Sequence, residues 1–287
     1  MNPDLVHSES RAGWEEGAKI PELSDANRFF QTVLVRPPGN AYVKCVSTNP
    51  AKTSIDLSLA KEQHKQYVST LKESGLHVIE LTSLEDFPDS VFMQDPAILG
   101  SRRTVIGRFG ETSRRGEEEA LRKDLSELKV GIGTINSVVS PGTLEGGDVV
   151  ITEQGIIVGE SQRTNENGIR QLAACLDHLP VKAVKTSLLH LLCGCSYLSR
   201  KTMIIAPDLV DPISFPDFRL IKIPLEEAYA TDALYVGGDR VIIPSGFPKT
   251  VMKLKEAGYR PFEVDVSEFY KGDGGVTCLC SPVYNLL

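Results

Sequence analysis

Long apolar runs are missing from this chain: no stretch approaches the ~20 residues that a bilayer-spanning helix needs. The opening MNPDLVHSESRAGWEEGAK lacks the basic and then apolar order of a secretory signal. A cytoplasmic location with no membrane partner is the expectation that follows. Clustered basic charge is missing too. Lys and Arg number 31 against 38 Asp and Glu, a formal net charge of −7, and the cations are scattered. That leaves no electrostatic footprint for nucleic acid and favours a small or cationic partner. Cysteine is sparse, six in 287 residues (Cys45, Cys175, Cys193, Cys195, Cys278, Cys280), which argues against a disulfide framework. Each thiol is then a small buried hydrophobe, a metal ligand or a catalyst. Nor is there a glycine-rich phosphate turn where a doubly wound dinucleotide fold would need one, since the first strand-like run, TVLVRPP, continues as GNAYVK.

What is present is a repeat. With 41% hydrophobic and 24% charged residues the chain can build an ordinary globular core. Four segments read as hairpins, two apolar runs around a short polar or glycine turn: DPAILGSRRTVIGR from Asp95, GDVVITEQGIIVGE from Gly147, CSYLSRKTMIIAP from Cys195 and ALYVGGDRVIIP from Ala233. Stretches with helical spacing follow several of them, SRRGEEEALRKDLSEL, TNENGIRQLAACL and PKTVMKLKEAG, and each leads to another short strand. SLAKEQHKQYVSTLKESG and HVIEL repeat the pattern after the opening strand. The spacing predicts an α/β fold of about five ββαβ units recurring every ~40 to 50 residues around a common centre. Residues 1–28 read as an N-terminal extension, with Trp14 as its anchor, ahead of a single domain over 29–287.

Polar residues interrupt the apolar runs at recurring places. FPDSVFMQDPAIL carries Asp89 and Asp95, TLEGGDVVI carries Glu145, SLLHLLCGCSYL carries His190, and GDGGVTCLCSPVY carries Cys278 and Cys280. Period-two alternation in the last places Cys278 and Cys280 on one face. Taken singly, turn chemistry explains the aspartates and a core position explains the histidine. Together, each stands at the edge of a different repeat, which is the convergence a nucleophile and its base require. Two Cys-x-Cys pairs, Cys193/Cys195 and Cys278/Cys280, offer a four-thiolate zinc reading, although structural zinc sites favour wider spacings.

On PDSVFMQDPAIL, LEGGDVV followed by VGESQRTNENG, LLHLLCGCSYL and DGGVTCLCS, in that order, the chain resembles the guanidino-group-modifying enzymes of the pentein fold, and within them the dimethylarginine dimethylaminohydrolase family. The resemblance spans Thr32 to Tyr284. It implies a five-bladed α/β propeller, no metal or organic cofactor, and a small guanidino substrate hydrolysed to citrulline and an amine through a covalent cysteine intermediate. It also implies Cys278 as nucleophile, His190 as general acid and base, Asp95 and Glu145 as carboxylates that hold the guanidinium, and Arg114 and Arg163 as partners of the α-carboxylate. Asp89 and the Asp273 carbonyl would meet the α-amino group, and the loop around Tyr42 would close the pocket. Gln94 departs from the pattern, standing where these hydrolases usually carry glutamate and leaving the substrate one negative charge short. An arginine deiminase or amidinotransferase-like activity on another guanidino compound, and a non-catalytic propeller that only binds, are the alternatives. A homo-oligomer stays open.

Overall fold

Asp56 starts the first helix: its carboxylate accepts the backbone N–H groups of Ser58 and Leu59 at 2.8 and 3.1 Å, two donors the first turn would otherwise leave unpaired. This is α1 (Leu57–Glu73), whose Ala60, His64, Tyr67, Val68 and Leu71 make one buried face and which ends before Gly75 at φ 79°. It joins β1 (Phe30–Val35) to β2 (His77–Glu80). The same order then recurs in the computed structural model, which describes residues 28–128 and 131–287. β3 (Ala97–Gly100), β4 (Arg103–Ile106), α2 (Glu117–Glu127) and β5 (Thr134–Ser137) are followed by β6 (Val149–Thr152), β7 (Gly155–Glu160), α3 (Glu166–Cys175) and β8 (Val181–Lys185). Next come β9 (Cys195–Ser199), β10 (Thr202–Ile205) and β11 (Arg219–Lys222), then β12 (Leu234–Gly237), β13 (Arg240–Pro244), α4 (Pro248–Glu256) and β14 (Arg260–Val264). The chain finishes with α5 (Ser267–Tyr270) and β15 (Cys280–Tyr284). The extension expected over residues 1–28, including Trp14, lies outside the described residues save Arg28.

Three sheets have three strands each, ordered β6-β7-β8, β11-β10-β9 and β12-β13-β14, and a fourth runs β2-β1-β15-β3-β4-β5. The fourth is two copies of the same pattern joined through the parallel pair β15–β3. In every copy an antiparallel pair, a hairpin in all but β1–β15, is extended by a parallel strand reached through a crossover. The result is an α/β fold of mixed sheets assembled from repeated units. Between β10 and β11 the crossover holds only a 3-10 turn, Pro212–Ser214. Pro207, Pro212 and Pro216 there remove donors and crowd a helical backbone.

Burial ranks the strands. All positions of β3, β6, β9 and β12 are buried, the two serines of β9 included. β2 and β5, at the far ends of their units, are exposed at both ends. The leading strands β3, β6, β9 and β12 are thus buried along their whole length. Asp95, Glu145, His190, Asp232 and Cys278 each stand just ahead of one such leading strand, β3, β6, β9, β12 and β15 respectively.

One sequence expectation fails here. β15 begins at Cys280, whose Cα pairs with Val35, so Cys278 lies in the turn before the strand and shares no strand face with Cys280. Its surroundings explain why. The Thr277 N–H donates to Asp232 at 2.8 Å and the Cys278 carbonyl accepts from the Gln94 N–H at 3.2 Å, so neither group is free for the sheet ladder.

Candidate active site

The glycines of LEGGD let two turns meet. A Cβ on Gly146 would lie 2.0 Å from the Gln94 carbonyl, and one on Gly147 would lie 2.6 Å from His190 Nδ1 and 2.8 Å from Asp95 Oδ1. Without side chains, this turn closes on the turn before β3, and the Gly146 N–H donates to the Asp95 carbonyl at 2.8 Å. Glu145 is fully buried in consequence. Its Oε1 accepts the Gly110 N–H at 2.9 Å, and its Oε2 accepts from His190 Nε2 at 2.8 Å. Glu145 is absent from the lining of the cleft described below and holds the imidazole from behind.

His190 sits between carboxylates. Nδ1 is 3.8 Å from Asp95 Oδ1, and the loop that carries the ring is fixed by Asp148, whose Oδ1 accepts the Leu191 N–H at 2.9 Å and whose Oδ2 accepts from Ser161 Oγ at 2.7 Å. Burial alone would lower the pKa of the imidazole, but Asp95, the hydrogen bond to Glu145 and the nearby Asp148 carry it up to about 9. At neutral pH the ring is an imidazolium. Burial likewise opposes ionisation of Asp95, yet His190 and Arg114 outweigh it and hold the carboxyl below its usual range.

Cys278, His190, Asp95, Asp89, Arg114, Arg163 and Asp273 line one cleft with Val46 and Phe92. Its free volume is about 20 Å³, room for about one water. Arg114 is clamped, with Nη1 donating to Asp95 Oδ2 at 2.6 Å and Nε and Nη2 donating to the Glu117 carboxylate at 3.1 and 2.8 Å. Burial disfavours its charge, but Glu117 and Asp95 raise its pKa well above the ordinary value. Arg163 is less committed, 3.5 Å from Glu145 Oε2 with 14% of its side chain exposed. Asp89 accepts the Val46 N–H at 3.0 Å. Asp273 adopts φ 60° and turns its carboxylate out to the Thr48 N–H at 2.6 Å. Burial pushes the Cys278 thiol well up, and the neighbouring Asp232 pushes the same way.

Two residues expected at the pocket stand elsewhere. Tyr42 is fully buried, donates its hydroxyl to the Glu268 carbonyl at 3.0 Å, and packs its ring 6.0 Å from that of Phe92. It is an apolar anchor behind the wall, and from its loop Val46 reaches the cleft. Gln94 turns away from Cys278 into a separate cavity shared with Thr277 and Tyr284, and its Nε2 donates to the Gly146 carbonyl at 3.3 Å. An amide can make that bond and a carboxylate cannot. One residue that sequence reasoning passed over, Asp232, lies 3.8 Å from Cys278 Sγ. Its signal was the repeat: TDALYV aligns with QDPAIL, which places Asp232 where the first hairpin has Asp95.

Asp95, Glu145 and His190 offer ligand atoms that all lie within 4.8 Å of one another. Guanidinium groups already occupy that charge, however, since Arg114 pairs with Asp95 and Arg163 with Glu145. Among the described residues the four cysteines of the two Cys-x-Cys pairs form no such group, which removes the zinc reading. A larger groove of about 500 Å³ lies between α1 and Pro37–Pro38. It contains none of the predicted residues.

Residues 38–285 match the family profile described as "N,N dimethylarginine dimethylhydrolase, eukaryotic". The N(G),N(G)-dimethylarginine dimethylaminohydrolase of Pseudomonas aeruginosa is 36% identical over 88% of this chain and 98% of its own length. A structure of the P. aeruginosa protein with a cysteine-to-serine substitution, complexed with citrulline, superposes with a TM-score of 0.83, at 36% identity over 88% of this chain and 99% of that one. A second, a dimethylarginine dimethylaminohydrolase variant with a histidine replaced by glycine and forming an adduct with S-methyl-L-thiocitrulline, also gives 0.83, at 36% identity over the same shares.

Proposed function

This chain belongs to the N,N-dimethylarginine dimethylhydrolase family, and from that premise we propose that it hydrolyses a methylarginine-type guanidino group to citrulline and an amine through a covalent thiouronium on Cys278. The observation that carries the reading is that Cys278, His190, Asp95, Arg163 and Asp89, drawn from separate turns of the chain, line one cleft. The repeated units are then blades of a five-bladed propeller whose inner strands deliver their leading residues to its centre. The compartment is the reducing cytoplasm, because all six cysteines are free thiols and a thiolate chemistry needs Cys278 reduced.

Each residue has a chemical task. Asp95 Oδ1 is buried and lacks a hydrogen-bond partner, and a guanidinium N–H supplies one. That contact fixes the planar cation with its central carbon in front of the sulfur. The α-carboxylate is matched by Arg163, since Arg114 is already committed to Asp95 and Glu117, and the α-amino group by Asp89 and the Asp273 carbonyl. Attack by sulfur forms the S–C bond and shifts the C=N pair onto nitrogen. The tetrahedral adduct then collapses, and the His190 imidazolium donates a proton to the departing amine. The ring, now neutral, takes a proton from water as the water attacks the thiouronium carbon. The second adduct expels the thiolate, its hydroxyl proton passes to solvent and so to the released amine, and citrulline is left.

The test is a citrulline colour assay across a panel of guanidino compounds, with amine release followed in parallel. Stoichiometric citrulline and methylamine or dimethylamine from methylated arginine is the expected result. Ammonia and citrulline from arginine alone would transfer the protein to the deiminase class. No citrulline from any member of the panel would remove the hydrolase reading altogether.

A further inference from the structure

Resting on the hydrolase reading above, we propose that Asp232 is a further catalytic residue, the base that takes the proton from Cys278 Sγ as the guanidinium enters. A base is required, and His190 is not free to be it. Its Nε2 is bound to Glu145, its Nδ1 faces Asp95, and as an imidazolium it has no lone pair to offer a thiol. Asp232 is the carboxyl that touches the sulfur. Oδ2 lies 3.8 Å from Sγ, while Oδ1 accepts the Thr277 N–H at 2.8 Å and fixes the group's direction.

The contact is built by the fold. A Cβ on Gly275 would lie 2.0 Å from Asp232 Oδ2, so the glycine before Val276 is what admits the carboxylate to the nucleophile's turn. Asp232 stands two residues ahead of β12, as Asp95 stands two ahead of β3 and Cys278 two ahead of β15. The repeats therefore give the nucleophile a carboxyl neighbour from the adjoining unit. Around Asp232 lie Asp95 and the neutral side chains of Tyr67, Cys193, Tyr229 and Cys280, besides Cys278 itself. Burial lifts its carboxyl to about 6, which brings its proton affinity nearer to neutral pH.

The proton and charge balance closes. The S–H bond breaks and an O–H bond forms on Asp232, moving one negative charge from oxygen to sulfur. No charge is created in a buried site, and the arriving cation lies against the atom that gains the charge. When water has attacked and the thiolate departs from the second adduct, the sulfur recovers its proton from Asp232 and the resting pair is restored.

Asp232→Asn tests this, because the amide oxygen can still accept from the Thr277 N–H. Iodoacetamide labelling of Cys278, located by mass spectrometry across pH in substrate-free protein, is read beside citrulline formation. In the variant the pH midpoint of labelling should fall by at least about one unit, since the charge opposing the thiolate is gone. Yet kcat should drop by ~10²-fold with KM within about threefold, because the proton has lost its acceptor. A more reactive thiol in a slower enzyme is an outcome that a merely structural role does not produce. The wild-type kcat/KM profile should also show an acidic limb near the Asp232 value of about 6, which keeps the proposal testable if the variant misfolds. Unchanged kcat, an unmoved labelling midpoint or a missing acidic limb would overturn it. Wild-type protein that makes no citrulline would sink the hydrolase reading instead, while labelling would still report on the Asp232–Cys278 pair.

Discussion

Glu145 holds His190 by a 2.8 Å hydrogen bond to Nε2 in which the carboxylate is fully buried and its other oxygen is taken by the Gly110 N–H. The pair leaves the ring one direction to face, toward Asp95 and the cleft. Removing the charge while keeping the shape should expose what that contact does. Glu145→Gln is expected to bring the basic limb of kcat down from about 9 toward the ordinary histidine value of ~6.5, with a fall in kcat of about fourfold at pH 7 that grows to ~10² by pH 8.5–9, and little change in KM. A kcat–pH profile measured from 5.5 to 10 checks it. A basic limb that stays in place would show that Asp95 alone keeps the ring charged.

The same raised pKa is a statement about stability. His190 titrates near 9 in the folded protein and near ~6.5 unfolded, so its stabilising contribution is fully present below ~6.5 and is lost as pH rises through about 9. Urea unfolding of the wild type and of His190→Gln should therefore show a gap in stability at pH 6 that narrows by pH 9.5. A gap that widens with pH would mean that the ring is held neutral in the fold.

Cys278 and Cys280 are two residues apart and differ in surroundings. The first lines the cleft beside Asp232; the second is fully buried in β15, with its Cα opposite that of Val35. Cys278→Ser should abolish citrulline formation with a melting temperature within a few degrees of wild type. Cys280→Ser should keep turnover but lose ~1–3 kcal/mol, because a hydroxyl placed there needs a partner. Comparable activity in the two variants would refute the assignment.

Much of this arrangement was readable from the chain, and the parts that were not share a cause. Hairpins such as GDVVITEQGIIVGE announce themselves because Val and Ile runs around a short polar or glycine turn have few other ways to fold. Two adjacent glycines in LEGGD leave room that no other residue pair would, and His190 and Asp95 fill it. Inside turns, however, side-chain direction has no period. Alternation therefore places Cys278 on a strand face that it does not occupy, and the motif pattern places Gln94 and Tyr42 in a cleft from which they turn away. Asp232 was overlooked because a single aspartate ahead of a strand has the same appearance as ordinary turn chemistry. Only the partner across the fold, Cys278, sets it apart.

Gln94 shows how a substitution can be read wrongly from charge alone. A glutamate at this position would seem to add a negative charge for the substrate, yet the side chain is buried, points into the other cavity and donates to the Gly146 carbonyl. Gln94→Glu would set a carboxylate oxygen against that carbonyl. A loss of ~1–3 kcal/mol in urea unfolding is expected, with the ratio of kcat/KM for methylated over unmethylated arginine changed by less than about threefold. A large rise in that ratio would restore Gln94 to the substrate site.

Gly147 gives the sharpest separation of site geometry from fold stability. Its missing Cβ is the space in which His190 Nδ1 and Asp95 Oδ1 approach, at 2.6 and 2.8 Å from where that atom would stand. The neighbours, His190 Nδ1 and Cγ and Asp95 Oδ1, are side-chain atoms and not backbone, so an added methyl presses on the imidazole and the carboxylate first. If His190 serves the leaving nitrogen and Asp95 the guanidinium as proposed, shifts well under an ångström at both should cost more in rate than in folding. Gly147→Ala is expected to lower kcat/KM for citrulline formation by ~10²-fold or more, with a thermal midpoint within several degrees of wild type. Near-normal turnover would mean that imidazole and carboxylate can both shift without consequence, and the reaction would then have to run through some other pair of groups in the cleft.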